Sequence, residues 1–208
     1  MSYQKYRELA TRKRYSIMKR AFNRKLDMFL HAYFLNNMPL DMNSFNSFSL
    51  NNKQLKEYLY LQQLSSGKDK IPNNTILDID KLNEKYTSWH KNNIDIKTEL
   101  WKIFQKEFLP IEEFIKIFPY ENRKCTYCGI SENEIKNLFT KGKITTKRLS
   151  TRGRIMEIDQ RKPNDGYTIG NMVLCCYWCN NAKTDEYTEE EFKEIANSIK
   201  RVWEKRLN

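Results

Sequence analysis

Two Cys-x-x-Cys pairs constrain this chain more than any other feature: Cys125-Thr-Tyr-Cys128 and Cys176-Tyr-Trp-Cys179. Each pair can present two thiolates from one tight turn, and Gly129, directly after the first pair, relieves the backbone there. Four thiolates complete the tetrahedral shell of Zn²⁺ and leave no open position, the pattern of a structural rather than a catalytic site. Ordinary buried cysteines are the competing reading. Repetition of the same spacing on either side of a compact segment argues against it. The fifth cysteine, Cys175, lacks the two-residue spacing to Cys179 that Cys176 has, and is assigned to the core of the preceding strand.

Charge narrows the partner. The 208 residues carry a formal net charge of +11 and a pI of about 9.3, which favours a polyanion, either nucleic acid or an anionic membrane. No stretch approaches the roughly 18 apolar residues that span a bilayer. Residues 1–9 are polar and lack the apolar core of a signal peptide. The expectation is a cytoplasmic protein without a membrane partner, its cysteines reduced and free to bind metal.

The chain divides by composition near residue 120. Residues 1–120 read as helical. Tyr6, Leu9, Ala10, Ile17, Ala21 and Met28 recur at helical spacing over 2–34, and Pro39 follows the end of that run. Further helices are expected over 53–63, 79–92, 96–108 and 110–118. Residues 122–185 hold all five cysteines and five of the six glycines. A last helix over 189–207 carries Phe192, Ile195, Ile199, Val202 and Trp203, with Thr188 and Glu191 in a capping-box arrangement. The expected class is α+β: a helical region, 1–120, for DNA binding or dimerisation, then a zinc-stabilised module with its C-terminal helix, 121–208.

Between the cysteine pairs, 155–158 and 172–174 are short apolar runs suited to strands, joined by a loop holding Pro163, Asn164, Asp165, Gly166 and Gly170. Asn180 opens a helical turn. The order strand, loop, strand, helix, together with Asp159-Gln160, Pro163, Gly166-Tyr167, Asn171, both cysteine pairs, Asn180 and Lys183, resembles the HNH endonucleases, ββα-metal nucleases with a four-cysteine zinc site. The resemblance covers about residues 122–188.

That resemblance implies a metal-dependent DNA endonuclease, of a restriction, mobile-element or phage-defence kind, with roles for particular residues. Asp159 and Asn180 would hold a catalytic Mg²⁺ or Mn²⁺, and hard oxygen ligands suit such an ion. Asn171 would tie the loop. Gln160 stands where the family's general-base histidine sits, and a carboxamide has no useful pKa. His31 and His90, the only histidines, lie in the helical region. Three readings of the base stay open: a carboxylate such as Glu157, Asp165 or Asp185; metal-bound hydroxide or the substrate phosphate, with Gln160 orienting water; or a zinc-containing nucleic-acid-binding module without turnover.

Basic residues fit a DNA partner. Arg148, Arg152, Arg154 and Lys183 are assigned to phosphate contact around the loop. Residues 11–25 contain many lysines and arginines and no acid. Phosphate contacts set affinity and register rather than sequence choice. Cutting both strands with one metal site per chain requires a homodimer or two successive nicks.

Overall fold

A computed structural model describes residues 1–36, 39–49, 79–144, 152–163 and 165–208. The expected helix over 53–63, and Arg148, lie outside them. Helix α1 covers Tyr3–Asn36, α2 Met42–Ser47, α3 Ile79–Asn92, α4 Ile94–Glu107, α5 Ile111–Ile117 and α6 Glu132–Thr140. Strand β1 (Glu157–Gln160), a 3₁₀ turn (Ile169–Asn171) and β2 (Met172–Cys175) precede α7 (Tyr177–Lys183) and α8 (Glu189–Leu207). The class is α+β: mostly helix, with one two-stranded antiparallel sheet pairing Glu157 with Cys175 and Gln160 with Met172. No helix among the described residues is long and apolar enough to cross a membrane.

The chain forms two compact units, Ser16–Phe108 and a second made of Met1–Tyr15 with Leu109–Asn208. In the first, α1 is buried most completely from Leu26 to Ala32, where Leu26, Phe29 and Leu30, with Phe22, join a core with Phe45, Trp89 and Leu100. Asp41 caps α2 by accepting from the Ser44 amide at 2.8 Å. A polar cluster lies within this unit: Tyr86 donates to Asp27, Lys97 Nζ lies 3.4 Å from His90 Nδ1, and His90 Nε2 lies 3.9 Å from Asp27.

In the other unit, aromatic contacts fix the first turns of α1. The Tyr6 hydroxyl donates to the Phe118 carbonyl at 2.7 Å, and its ring stacks on Phe118. Arg7 pairs with Glu112, and Arg14 donates to the Leu109 carbonyl. The buried Arg123 guanidinium lies over Phe118 and bonds Glu132 at 2.6 Å. Glu132 also accepts from the Met156 amide at 2.7 Å, so the approach to β1 is pinned to the start of α6.

Two capping boxes set helix starts: Ser131 with Glu134 on α6, and Thr188 with Glu191 on α8. Both satisfy amide donors that a helix N-terminus otherwise leaves free. Along α8 the buried face is Phe192, Ala196 and Trp203. Ile195 and Val202, expected on that face, are exposed. The turn of α8 toward Trp178, which meets Trp203 edge-on at 4.8 Å, selects the neighbouring stripe.

Candidate functional site

The first cysteine pair sits in a tight knuckle. The Gly129 amide donates to the Cys125 carbonyl and the Cys125 amide to the Ile130 carbonyl, both at 2.9 Å. Gly129 has φ +78°, a conformation that suits glycine. The Thr126 amide bonds the Leu174 carbonyl at 2.8 Å, which ties the knuckle to β2. The second pair starts α7: Cys176 is its N-cap, and its sulfur accepts from the Cys179 amide.

These elements bring four buried sulfurs within 4.8 Å of one another. Cys128 Sγ and Cys176 Sγ are 3.7 Å apart. A tetrahedron with Zn–S bonds of about 2.3 Å has edges of about 3.8 Å, which the Cys128–Cys176 edge matches. Hydrogen bonds from Cys128, Cys176 and Cys179 pull the Cys125 thiol far below its ordinary range, and contacts with Cys125 and Cys128 push Cys176 and Cys179 far above theirs. A Zn²⁺ ion would accept all four as thiolates. Cys175 stays out of the cage. It is fully buried on β2, and burial raises its thiol well above the ordinary value.

Beside the cage, β1 alternates half-buried and buried side chains. Successive strand residues point to opposite faces, so Glu157 and Asp159 share one face and Gln160 lies on the other. Helix α7 covers the carboxylate face. The Asn180 amide nitrogen donates to Glu157 at 2.5 Å, and Lys183, one turn on, lies 3.4 Å from Asp159. The Tyr127 hydroxyl, from inside the first Cys-x-x-Cys, donates to Asp159 at 2.7 Å. Burial and that carboxylate push the Tyr127 phenol up.

The side chain of Asn180 thus meets Glu157, while Asp159 meets Lys183 and Tyr127. The assignment of Lys183 to DNA contact is corrected here. It is 0% exposed, donates to the Gln160 carbonyl at 2.8 Å, and does not reach solvent. A fully buried ammonium needs a counter-charge, and Asp159 supplies it.

The two ion pairs differ in kind. Arg152 grips Glu157 with both ends of its guanidinium, at 2.8 and 2.6 Å, and lies over the Tyr177 ring. Its side chain is 34% exposed. Glu157 in this bidentate pair is 15% exposed, and stripping one partner from a fully buried pair costs about 3–5 kcal/mol. Arg152 is the more accessible of the two cations. Burial works against the charge on Glu157, but Arg152, Asn180 and the half-buried Lys13 of α1 outweigh it and hold the carboxyl below its ordinary value.

Asn171 closes the loop between the strands with three hydrogen bonds. It accepts from the Lys162 amide at 2.8 Å and donates to the carbonyls of Lys162 and Gly166 at 2.8 and 2.7 Å. Gln160 is 5% exposed, and its amide nitrogen has no partner among the described residues. Arg154 is exposed, as are Arg12 and Lys162. The roles of Tyr127 and Arg152 escaped the sequence, because both depend on which neighbour β1 and α7 present across space.

No family model matches the chain, and no curated protein matches it. Among solved structures, the rare-cutting HNH restriction endonuclease PacI is similar, at 24% identity over 48% of this chain and 67% of that one, with a TM-score of 0.40. A superposition that loose does not carry an activity across.

Proposed function

We propose that residues 121–208 form a metal-dependent endonuclease that hydrolyses DNA phosphodiester bonds, and that residues 1–120 supply a helical region with further phosphate contacts. The supporting observation is the meeting of two hard-oxygen side chains, Glu157 of β1 and Asn180 of α7, beside the cysteine cage, with Asp159 on the same face of β1. The donor set suits Mg²⁺ or Mn²⁺. The HNH resemblance assigns that ion to Asp159 and Asn180, with Glu157 alongside. A divalent ion there would neutralise charge building on the phosphate and the leaving oxygen. The chain's own groups do the rest. Asn171 fixes the loop, the zinc cage fixes α7 against β1, and the exposed Arg154 and Lys162 offer donors to DNA phosphates.

A second reading is nucleic-acid binding without turnover. It is favoured by Gln160, which holds the base position with a group that cannot take a proton and which is buried. One assay separates the two. Supercoiled plasmid is incubated with the zinc-loaded protein and Mg²⁺ or Mn²⁺, with EDTA as control. Metal-dependent nicking that disappears in Glu157→Gln/Asp159→Asn supports the enzyme. Tight, salt-sensitive binding with no nicking under either metal supports the binding module. Linear product appearing before nicked circles accumulate would indicate cutting by a dimer.

A further inference from the structure

We infer that two copies of this chain associate through α8, running antiparallel, around Ile195, Ile199 and Val202. The inference is independent of whether the module cuts DNA. Helix α8 carries more apolar surface than its own unit covers. At 3.6 residues per turn, Val202, Ile195, Ile199, Phe192, Trp203 and Ala196 form one arc about 120° wide. A surface helix ordinarily turns such an arc wholly toward its core. Here Phe192, Ala196 and Trp203 are buried, Ile199 is half-buried, and Ile195 and Val202 are 37% and 46% exposed. The uncovered stripe lies outside residues 1–120, the region expected to dimerise.

The polar flank beside that stripe points to a second copy as its occupant. Along the helix it reads Glu191, Glu194, Ser198, Arg201 and Lys205, all exposed. Acids stand on the N-terminal side of Ser198 and bases on the C-terminal side. Positions seven apart recur on one side of a helix, which aligns Glu191, Ser198 and Lys205, Glu194 with Arg201, and Ile195 with Val202. Against a second copy running the other way, with the two Ser198 residues opposite one another, Glu191 meets Lys205, Glu194 meets Arg201 and Ile195 meets Val202. Each meeting occurs twice, the self-complementarity that a two-fold interface requires. A parallel arrangement would set Glu191 against Glu191 and Lys205 against Lys205, and like charges oppose it. Exposed ion pairs fix orientation more than strength, so the aliphatic stripe supplies the attraction. A stripe this narrow falls below the roughly 1,200 Å² of a standard interface, so the dimer is weak and depends on concentration.

The test is sedimentation equilibrium of the zinc-loaded protein from about 1 to about 200 µM, a range over which a weak interface passes from monomer to dimer. Circular dichroism and zinc content are measured for every variant to show that the fold is intact. Glu191 also caps the start of α8, so it is left in place. Val202→Glu is expected to weaken dimerisation by about tenfold or more. Arg201→Glu sets acid against Glu194, and Glu194→Lys sets base against Arg201. Each alone is expected to weaken self-association by about threefold, and an equimolar mixture of the two is expected to recover it. Recovery in the mixture is a result that a general loss of stability would not produce. A parent that stays monomeric at about 200 µM overturns the inference. So does a dimer that survives Val202→Glu, which places association elsewhere in the chain, and so does a mixture no stronger than either variant alone. Plasmid nicking is scored separately. Dimerisation through α8 without nicking leaves the inference standing, whereas nicking by a parent that never dimerises overturns it and leaves the endonuclease reading standing.

Discussion

Asn180 and Glu157 face each other across the junction of α7 and β1, with amide nitrogen and carboxylate oxygen 2.5 Å apart. Residue 180 is fixed by the sulfur cage through Cys179, and residue 157 is fixed by its pairing with Cys175. The four-cysteine cage and the polar face of the sheet are therefore one mechanical unit, and disturbing either should register in the other.

Zinc removal is the first consequence. Structural zinc contributes an apparent 10–16 kcal/mol or so in small domains, more than the entire stability of most folds. Cys179→Ser should lose the bound zinc, measured by plasma mass spectrometry, and with it the near-ultraviolet signal of Trp178 and Trp203, which pack together beside the cage. A variant that keeps that signal without zinc would show the cage to be dispensable.

The buried ion pair gives a second. Lys183→Met leaves Asp159 without its ammonium and should cost about 3–5 kcal/mol, read from urea unfolding of zinc-loaded protein. Adding Asp159→Asn should recover most of the loss. Equal destabilisation by the single and double variants would mean that packing, not charge pairing, sets the cost.

A third concerns Gln160. Its side chain is buried on the face of β1 away from Glu157 and Asp159. A histidine substituted there has no short route to a water on the carboxylate face. Gln160→His should leave the rate of plasmid nicking within a few-fold of the parent. A large gain would mean that the end of β1 opens when DNA binds.

DNA binding should follow counterion release. Each phosphate neutralised adds about 0.9 to the slope of log affinity against log salt. Charge reversal at the exposed Arg154, or at Arg12 on α1, should weaken binding and flatten that slope by about one unit for each phosphate let go, measured by fluorescence anisotropy at several salt concentrations. An unchanged slope would remove the residue from the interface.

His90 provides a pH test in the helical unit. Burial, and then the neighbouring Lys97, lower its pKa, with Asp27 opposing them. The unfolded chain then binds a proton that the folded chain resists. The stabilising effect is complete above the ordinary histidine value of 6.5 and is lost as pH falls below it. Acidification from about pH 7.5 to about pH 5.5 should lower the urea midpoint more in the parent than in His90→Gln. The zinc thiolates respond to acid in both proteins, so the difference isolates His90.

Legibility in the sequence followed the range of the interaction. Each Cys-x-x-Cys half of the cage, the strand–loop–strand–helix order and the capping box of α8 are local patterns that could be read from spacing, and repetition of the cysteine spacing joined two halves 48 residues apart. Helix α6 could have been read the same way, since Ser131 and Glu134 form the same signature as Thr188 and Glu191. The partners of Glu157 and Asp159 could not. They depend on how far α7 is rotated over β1, and a shift of one turn exchanges Asn180 for Lys183. The burial of Lys183 escaped for the same reason: a lysine near a basic loop looks solvent-facing until the carboxylate beneath it is known. The place of the first turns of α1 also rests on contacts distant in sequence, such as Tyr6 with Phe118.

That last pairing bears on how the protein comes into being. A ribosome releases Tyr6 more than a hundred residues before Phe118, so the opening turns of α1 emerge long before the surface they cover. The face bearing Glu157 and Asn180 cannot be completed on a partly synthesised chain. The proposed nuclease, assembled in this order, stays inert until residue 180 has emerged and met Glu157.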